Sequence, residues 1–434
     1  MKFGLKDLLG LRVPGTVMLS VFVAAASACG SDFGPDSGGP SAEGLPTFAV
    51  VRTDYSTTAI AGLEADGTIW NSAILDSGSV APGLSTALSG DVVLAEVRPF
   101  EGILTVVDRF MTDVLTRYDL RADRVLGQVR TQGSEAFPSN PYDAARGEAG
   151  TVWVSRFGVN LDPEAGPLDR GNDLVEIDLS EFELTGRRVD LSRFDVEVDG
   201  SGEGKVAHAR PGAIVRRGNV LAVGLAGLSF EFDAAGPGRL AVVDLQTLDV
   251  RGLELPEGLQ NCSGVRAIPG TPDLVAVACT GFARPFGDPP QVRASSGVVV
   301  VRVEDDARGR VVRTWRPADD PARPLAVHSV RPLSPTRFVG NAFGALGDRP
   351  DELHSVDMES GDTRSVWRAD EAFAIGLSAY DPTSGLLLVP DASRGSGGIH
   401  RFGVEAEEIS FRGTTTFSDG PLPPRSVVLL EARP

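Results

Sequence analysis

One short pattern recurs seven times along this chain, and a chain built of like units has few ways to fold. Asp113–Leu120 (DVLTRYDL), Asn172–Leu179 (NDLVEIDL) and Gly238–Leu245 (GRLAVVDL) align without gaps, and Asp351–Met358, with the core ELHSVDM, makes a fourth. Each places Leu four positions before an Asp (Leu115, Leu174, Leu240, Leu353), an apolar or aromatic residue directly before it, and Leu or Met directly after. Three weaker copies fall between and around these: TAIAGLEA ending at Ala65, SGVVVVRV ending at Val303, and GGIHRFGV ending at Val404. The aligned column reads Glu64, Asp119, Asp178, Asp244, Arg302, Asp357 and Gly403, with spacings of 46 to 66 residues.

Each unit has the same internal order. In the third, Tyr142–Arg146 leads to Gly150–Phe157 (GTVWVSRF), then Asn172–Leu179, then Leu184–Leu191 (LTGRRVDL). The fourth repeats this with PGAIV, NVLAVGLA, GRLAVVDL and LDVRGLEL; the fifth has SGVRAI, DLVAVACTG, GVVVVRV and RVVRTWR. These are strand-length runs rich in Val and Leu, and 51 Gly and 30 Pro punctuate the chain too densely for long helices. Four antiparallel strands per unit, with no helical segment between, describe a propeller blade. A solenoid needs shorter, more uniform repeats, and a sandwich does not produce seven equivalent copies. The expected fold is therefore all-β: a seven-bladed β-propeller of four-stranded antiparallel blades. The first unit holds only three strands (Phe48–Thr53, Thr57–Glu64, Thr68–Leu75), while a spare one, Ser426–Glu431, follows the seventh. The C-terminal strand is thus expected to close the ring as the innermost strand of the first blade, hiding exposed sheet edges.

The apolar-apolar-Asp column and blade-entry segments such as Asn140-Pro141-Tyr142-Asp143 resemble the bacterial seven-bladed propellers of the YVTN and lactonase-like group. The resemblance spans about residues 47–431. It implies a seven-fold ring with a central channel, and it carries over no catalytic residues.

At the amino terminus, Lys2, Lys6 and Arg12 precede an apolar run from Thr16 to Ala28 that ends Ala26-Ser27-Ala28-Cys29. A positive segment, a short apolar segment and small residues before a cleavage point make an export signal, too short to span a bilayer. Ala26-Ser27-Ala28-Cys29 resembles the lipobox of bacterial lipoproteins, which implies lipidation at Cys29 after removal of residues 1–28. Residues 29–46 follow as a polar Gly/Ser/Pro tether spanning roughly 20–25 Å, and residues 47–434 form the propeller. Gly30 after the lipid site resembles lipoproteins sorted to the outer membrane. The expected location is the cell envelope, with the membrane as a partner through the lipid anchor only.

Charge narrows the partners further. The chain carries −18, and loss of residues 1–28, with Lys2, Lys6, Arg12 and Asp7, takes it to −20. So acidic a body repels phosphate backbones, which excludes nucleic acid, and a self-repelling surface suits a monomer. After export, Cys262 and Cys279 are the cysteines left in an oxidising compartment, and they are expected to form a disulfide. The pairing puts them directly opposite across a hairpin centred between Gly270 and Thr271.

Enzyme motifs fail one by one. There is no HExxH, and His208, His328, His354 and His400 are scattered; there is no GxSxG. Asp199–Val206 lacks the first Gly and the final Ser/Thr of a phosphate loop. Asp195, Glu197, Asp199 and Gly200 begin like a calcium loop, but Val206 stands where the bidentate Glu belongs. These carboxylates, and Asp162, Asp169 and Asp173, read as solvated acidic loops. No catalytic residue, metal or cofactor is expected. The Asp column is expected to cap tight turns, and Trp70, Trp153, Trp315 and Trp367 to pack between blades.

Loop lengths supply the functional expectation. Links between second and third strands are long (Gly158–Gly171, Gly227–Pro237, Gly281–Ser296, Gly344–Pro350), while the turns at the other end are short. Long loops on a rigid scaffold are the usual place for binding. The polar starts of the inner strands, Asn140, Tyr142, His208, Arg210, Asn261 and His328, lie on that face and are the candidate ligand-binding residues. The expected function is a non-catalytic scaffold that binds an envelope protein, a glycan or a small ligand on its long-loop face. The alternative is a lactonase-like hydrolase or a lyase with its site at the channel mouth.

Overall fold

The computed structural model describes residues 44–430 apart from 97–101, 110, 135–136, 149, 199–203, 284–288, 318–326, 343–348 and 407. Cys29, the signal segment and most of the tether lie outside the described residues. The described chain is a β-propeller, with seven four-stranded antiparallel sheets and one small three-stranded sheet.

From innermost to outermost strand, sheet three runs Pro141–Arg146, Thr151–Val159, Gly171–Asp178, Glu183–Asp190, and sheet four Pro211–Arg217, Val220–Leu225, Arg239–Asp244, Val250–Glu254. Sheets two, five, six and seven repeat this order from inner strands Val92–Leu94, Gly264–Ala267, Val327–Ser334 and Ala379–Asp381. Sheet one joins both ends of the chain: Pro424–Leu429 pairs antiparallel with Phe48–Thr53, followed by Thr58–Leu63 and Ile69–Asp76. The C-terminal strand starts two residues earlier than expected and takes the innermost place. Gly376 permits its close approach to the link entering sheet seven, since a Cβ there would sit 1.8 Å from the Arg425 carbonyl.

The apolar runs explain the packing. In a strand successive side chains point to opposite faces, and here both faces are covered. Leu240 and Val242 point into a cluster with sheet five, whereas Ala241 and Val243 point into one with sheet three. Val299 and Val301 face sheet four, and Val298 and Val300 face sheet six. Every core cluster lies between two consecutive sheets, and one joins sheet seven (Ala379, Leu388, Ile399) to sheet one (Phe48, Val50, Ala61). Burying each such Val or Leu stabilises by roughly 1.5–3 kcal/mol. All four tryptophans fall in these inter-sheet clusters. Leu45, assigned to the tether, packs against the cluster between sheets one and two.

The Asp column does cap turns. Asp119 Oδ1 accepts the N–H groups of Arg121 and Ala122, and Asp244 Oδ1 those of Gln246 and Thr247, at 2.8–3.0 Å. Asp178 and Asp357 do the same for the residues two and three ahead. The other end of the repeat has an unforeseen role. Asp113, Asn172 and Asp351, all buried, accept the N–H groups of Asn140 (2.6 Å), Arg210 (2.7 Å) and Ile375 (3.1 Å). Each of these donors belongs to the entry of the next sheet, so the position ties neighbouring sheets together.

Three expectations need correction. The disulfide joins Cys262 to Cys279, both fully buried, but not as a directly opposed rung. The ladder pairs Gly264 with Ala278 and Val265 with Val277, centred on Thr271, and the strand begins two residues after Cys262. The register shifts by one residue between Cys262 and Gly264, since before it the Asn261 carbonyl accepts the Thr280 N–H at 2.9 Å. The links are also not free of helix: Pro289–Ser295 is helical within the long link of sheet five. His208, expected to open an inner strand, lies instead in the three-stranded sheet Val196–Val198, Lys205–His208, Leu228–Ser229, because the longer link before sheet four folds on itself.

Candidate functional site

The inner strands run from the long-link end to the short-turn end. At the long-link end, Asn140, Arg210 and Asn261 occupy the same place in three successive sheets. All three are left-handed (φ 47°, 47° and 53°), and their carbonyls accept N–H groups from the second strand's end (Phe157, Ala226, Thr280). The left-handed backbone accounts for Asn at two of these three positions.

Arg210 is also buried, and its guanidinium donates to the carbonyls of Leu228 (3.1 Å), Ser229 (3.2 Å) and Phe230 (3.1 Å). It lies 4.3 Å over the Phe232 ring and 5.2 Å from that of Phe157. Burial lowers its pKa to about 10. Phe157 stacks on Tyr142 at 5.6 Å and on Phe232 at 6.3 Å, so Tyr142 and Arg210 are brought into one aromatic row. His208 joins them through a polar chain: its Nδ1 is 2.8 Å from Asp195, which also accepts the amide of Asn172, whose own carbonyl oxygen takes the Arg210 N–H. Asn261, on sheet five, stands apart from this group. The backbone of His328 is in the inner strand of sheet six, and its side chain lies outside the described residues.

The acidic loops do not converge. Asp173 pairs with Arg156 and Arg188, Asp169 accepts the N–H groups of Gly133 and Ser134, and Asp162 that of Glu164. Among the described residues no three His, Cys, Asp or Glu side chains are placed to hold a metal ion.

The short-turn end is different. A cavity of about 950 Å³ is lined by the inner strand, or the turn after it, of every one of the seven sheets. Its walls are the later halves of those strands together with short turns such as 268–271. Five arginines and three carboxylates line it, a positive excess inside a chain of −18. Such a field concentrates anions.

Three of these side chains form one ionic group, and Asp143 interacts electrostatically with two of them. Glu96, just past the inner strand of sheet two, pairs with Arg331 of sheet six and stands 3.8 Å from Arg266 of sheet five, using the same oxygen, Oε1, for both. Arg331 Nε donates to the Ser378 carbonyl at 2.7 Å, which fixes its fork. Asp143 of sheet three faces Arg266 and Glu96 and accepts the N–H groups of Ala144 (2.8 Å) and Ile214 (3.2 Å). Burial pushes Asp143 up to about 6 against the opposing pull of Arg266. For Arg266 burial works against the charge, but Glu96 and Asp143 outweigh it and raise its pKa. Tyr380 of sheet seven also lines the cavity, its phenol raised by burial.

Sequence reasoning passed over these residues, yet a signal was present. Four inner-strand runs carry a charged or polar residue amid small and apolar ones: Asp143 in PYDAAR, Arg266 in SGVRAI, Arg331 in SVRPL, Tyr380 in AYD.

No protein-family model matches the chain, and no curated protein matches it. Solved structures do. A periplasmic gluconolactonase from Pseudomonas aeruginosa is 15% identical at a TM-score of 0.53, over 89% of this chain and 99% of that one. A protein from Lactobacillus plantarum is 12% identical at 0.54, over 88% and 98%. A candidate 6-phosphogluconolactonase from Bacteroides fragilis is 10% identical at 0.50, over 88% and 96%. At these identities the likeness is one of fold, the β-propeller.

Proposed function

We propose that this protein is a ligand-binding propeller whose site is the channel cavity at the short-turn end, taking one small, polar, sugar-sized molecule. The observation that carries the reading is the cavity itself, whose volume of about 950 Å³ suits a small-molecule site and whose wall holds the Glu96, Arg266, Arg331 and Asp143 group. The long-loop residues His208 and Arg210 serve this reading as supports for that face. The His208 Nδ1 and the Arg210 guanidinium already bond within the protein. The proposal keeps the lipid anchor at Cys29 and the cell-envelope location expected from the amino terminus.

Titration calorimetry with neutral sugars, sugar acids and sugar lactones tests it, on the protein and on Ala267→Trp, which fills the cavity wall. Binding by the parent that is lost in a still-folded Ala267→Trp supports the site. Absence of binding across the panel, or equal binding by both proteins, overturns it.

A second reading is hydrolysis, favoured by the half-buried Asp143 carboxyl with a pKa of about 6, a value fit for proton transfer near neutral pH. The fold is shared with a gluconolactonase. Acid release from a sugar lactone that Asp143→Asn abolishes supports this reading, and a rate equal in both proteins excludes it.

A further inference from the structure

We infer that the cavity's ligand is a small carboxylate, bound between Arg266 and Arg331 in competition with Glu96. This rests on the cavity reading above and names its ligand class. The two guanidinium groups come from neighbouring sheets and converge on a single carboxylate oxygen, Glu96 Oε1. Glu96 is not part of a regular strand; it follows Val92–Leu94 in the connection to Ile103–Asp108 and is 31% exposed. A side chain partly open to solvent that bridges two arginines is a carboxylate another carboxylate can replace. The exchange trades one anion for another, so the arginines never lose their partner, and the large cost of an unpaired buried charge does not arise. A neutral sugar has no such exchange available, because it leaves Glu96 in place.

Asp143 adds a sign to this exchange. It faces Arg266 from sheet three, Glu96 from sheet two and the Ile214 N–H from sheet four. Together Arg266, Arg331, Glu96 and Asp143 sum to zero when all are ionised. Protonation of Asp143 leaves the group at +1 without touching either arginine. A carboxylate ligand, still ionised at pH 5.5, is then bound more tightly than at pH 7.5.

The experiment is titration calorimetry with galacturonate, its neutral counterpart galactose, succinate and inorganic phosphate, at both pH values. Galacturonate or succinate should bind where galactose does not, and binding should tighten several-fold at pH 5.5. Glu96→Gln should tighten the carboxylate about tenfold, the scale of one charge-assisted contact, and Arg331→Ala should weaken it by at least that factor. Asp143→Asn should bind at pH 7.5 as the parent does at pH 5.5, with the pH dependence gone. If Glu96→Gln does not fold by thermal unfolding, the parent's pH dependence and Asp143→Asn decide. Galactose and galacturonate binding alike, Glu96→Gln weakening binding, or phosphate binding tightest would each overturn the carboxylate while leaving the cavity reading in place. Silence from every probe would overturn both.

Discussion

Asp143→Asn should stabilise the ligand-free protein, and only at pH values where the parent carboxyl is ionised. In the folded chain burial raises the Asp143 pKa from 3.8 to about 6. The folded state therefore holds its proton more tightly than the unfolded one between those values, and stability falls as pH rises through that window. The penalty is absent below 3.8 and complete above about 6. At about 1.4 kcal/mol per pKa unit the full interval amounts to about 3 kcal/mol, and the half-buried position of the side chain reduces this to about 2–3 kcal/mol. Asn keeps one carbonyl oxygen for the Ile214 N–H and gives up the bond from the Ala144 N–H, while the charge is removed. The variant should unfold about 3 °C above the parent at pH 7.5, given the unfolding entropy of a domain this large. At pH 4.5 the advantage should shrink to about a third. Differential scanning calorimetry of both proteins at the two pH values reads this directly. A variant less stable than the parent at pH 7.5, or a gain equal at both pH values, would refute the claim that burial of this carboxyl dominates its environment.

Other variants test other parts of the structure. Arg210→Ala removes four carbonyl contacts and two ring contacts and should cost about 2–4 kcal/mol, seen as a lower melting temperature and as new proteolytic cuts within residues 228–237. Replacing Cys262 and Cys279 together by Ser should cost about 3 kcal/mol for a loop with sequence separation 17, and mass spectrometry of the unreduced parent should find no free thiol at either. Removing residues 424–434 takes buried Val427 and Val428 from two inter-sheet clusters and leaves Phe48–Thr53 as an open edge; size-exclusion chromatography should show association in place of a folded monomer. Cys29→Ser should move the protein from membranes to the soluble fraction, and unchanged membrane association would end the lipid-anchor proposal.

Strand identity and order could be read from the sequence because they rest on local signals. Period-two patterning, Gly and Pro at turns, and a turn-capping Asp each act within a few residues. The seven copies place the third strand of each sheet, from Thr58–Leu63 to Gly398–Glu405, where the alignment puts them. The disulfide partners were legible by elimination, whereas their register was not. The register shifts by one residue between Cys262 and Gly264, just before the strand begins. The three-stranded sheet was hidden for a related reason: its strands are two to four residues long, too short for periodicity to register.

The functional residues divide along the same line. Loop length pointed to one end of the channel, because length is visible in a sequence. Among the polar residues found there, Asn140, Arg210 and Asn261 also bond through their backbones to the neighbouring strand. Asn140 and Arg210 open inner strands in left-handed conformations and bond to Asp113 and Asn172 of the preceding sheet. The charged cavity at the opposite end draws Glu96, Asp143, Arg266 and Arg331 from four sheets, across separations of up to 235 residues. No local pattern marks such a group. Each of its members is one charged residue in or beside an apolar strand, and only closing the chain upon itself makes four of them neighbours. The sequence by itself determined which segments become strands and how they follow one another, since those choices are made by turns and alternation within a unit. Which inward-facing side chains meet, and what charge they hold between them, was decided by the tertiary structure, because Coulomb energy and desolvation depend on distances that exist only once the sheets surround a common axis.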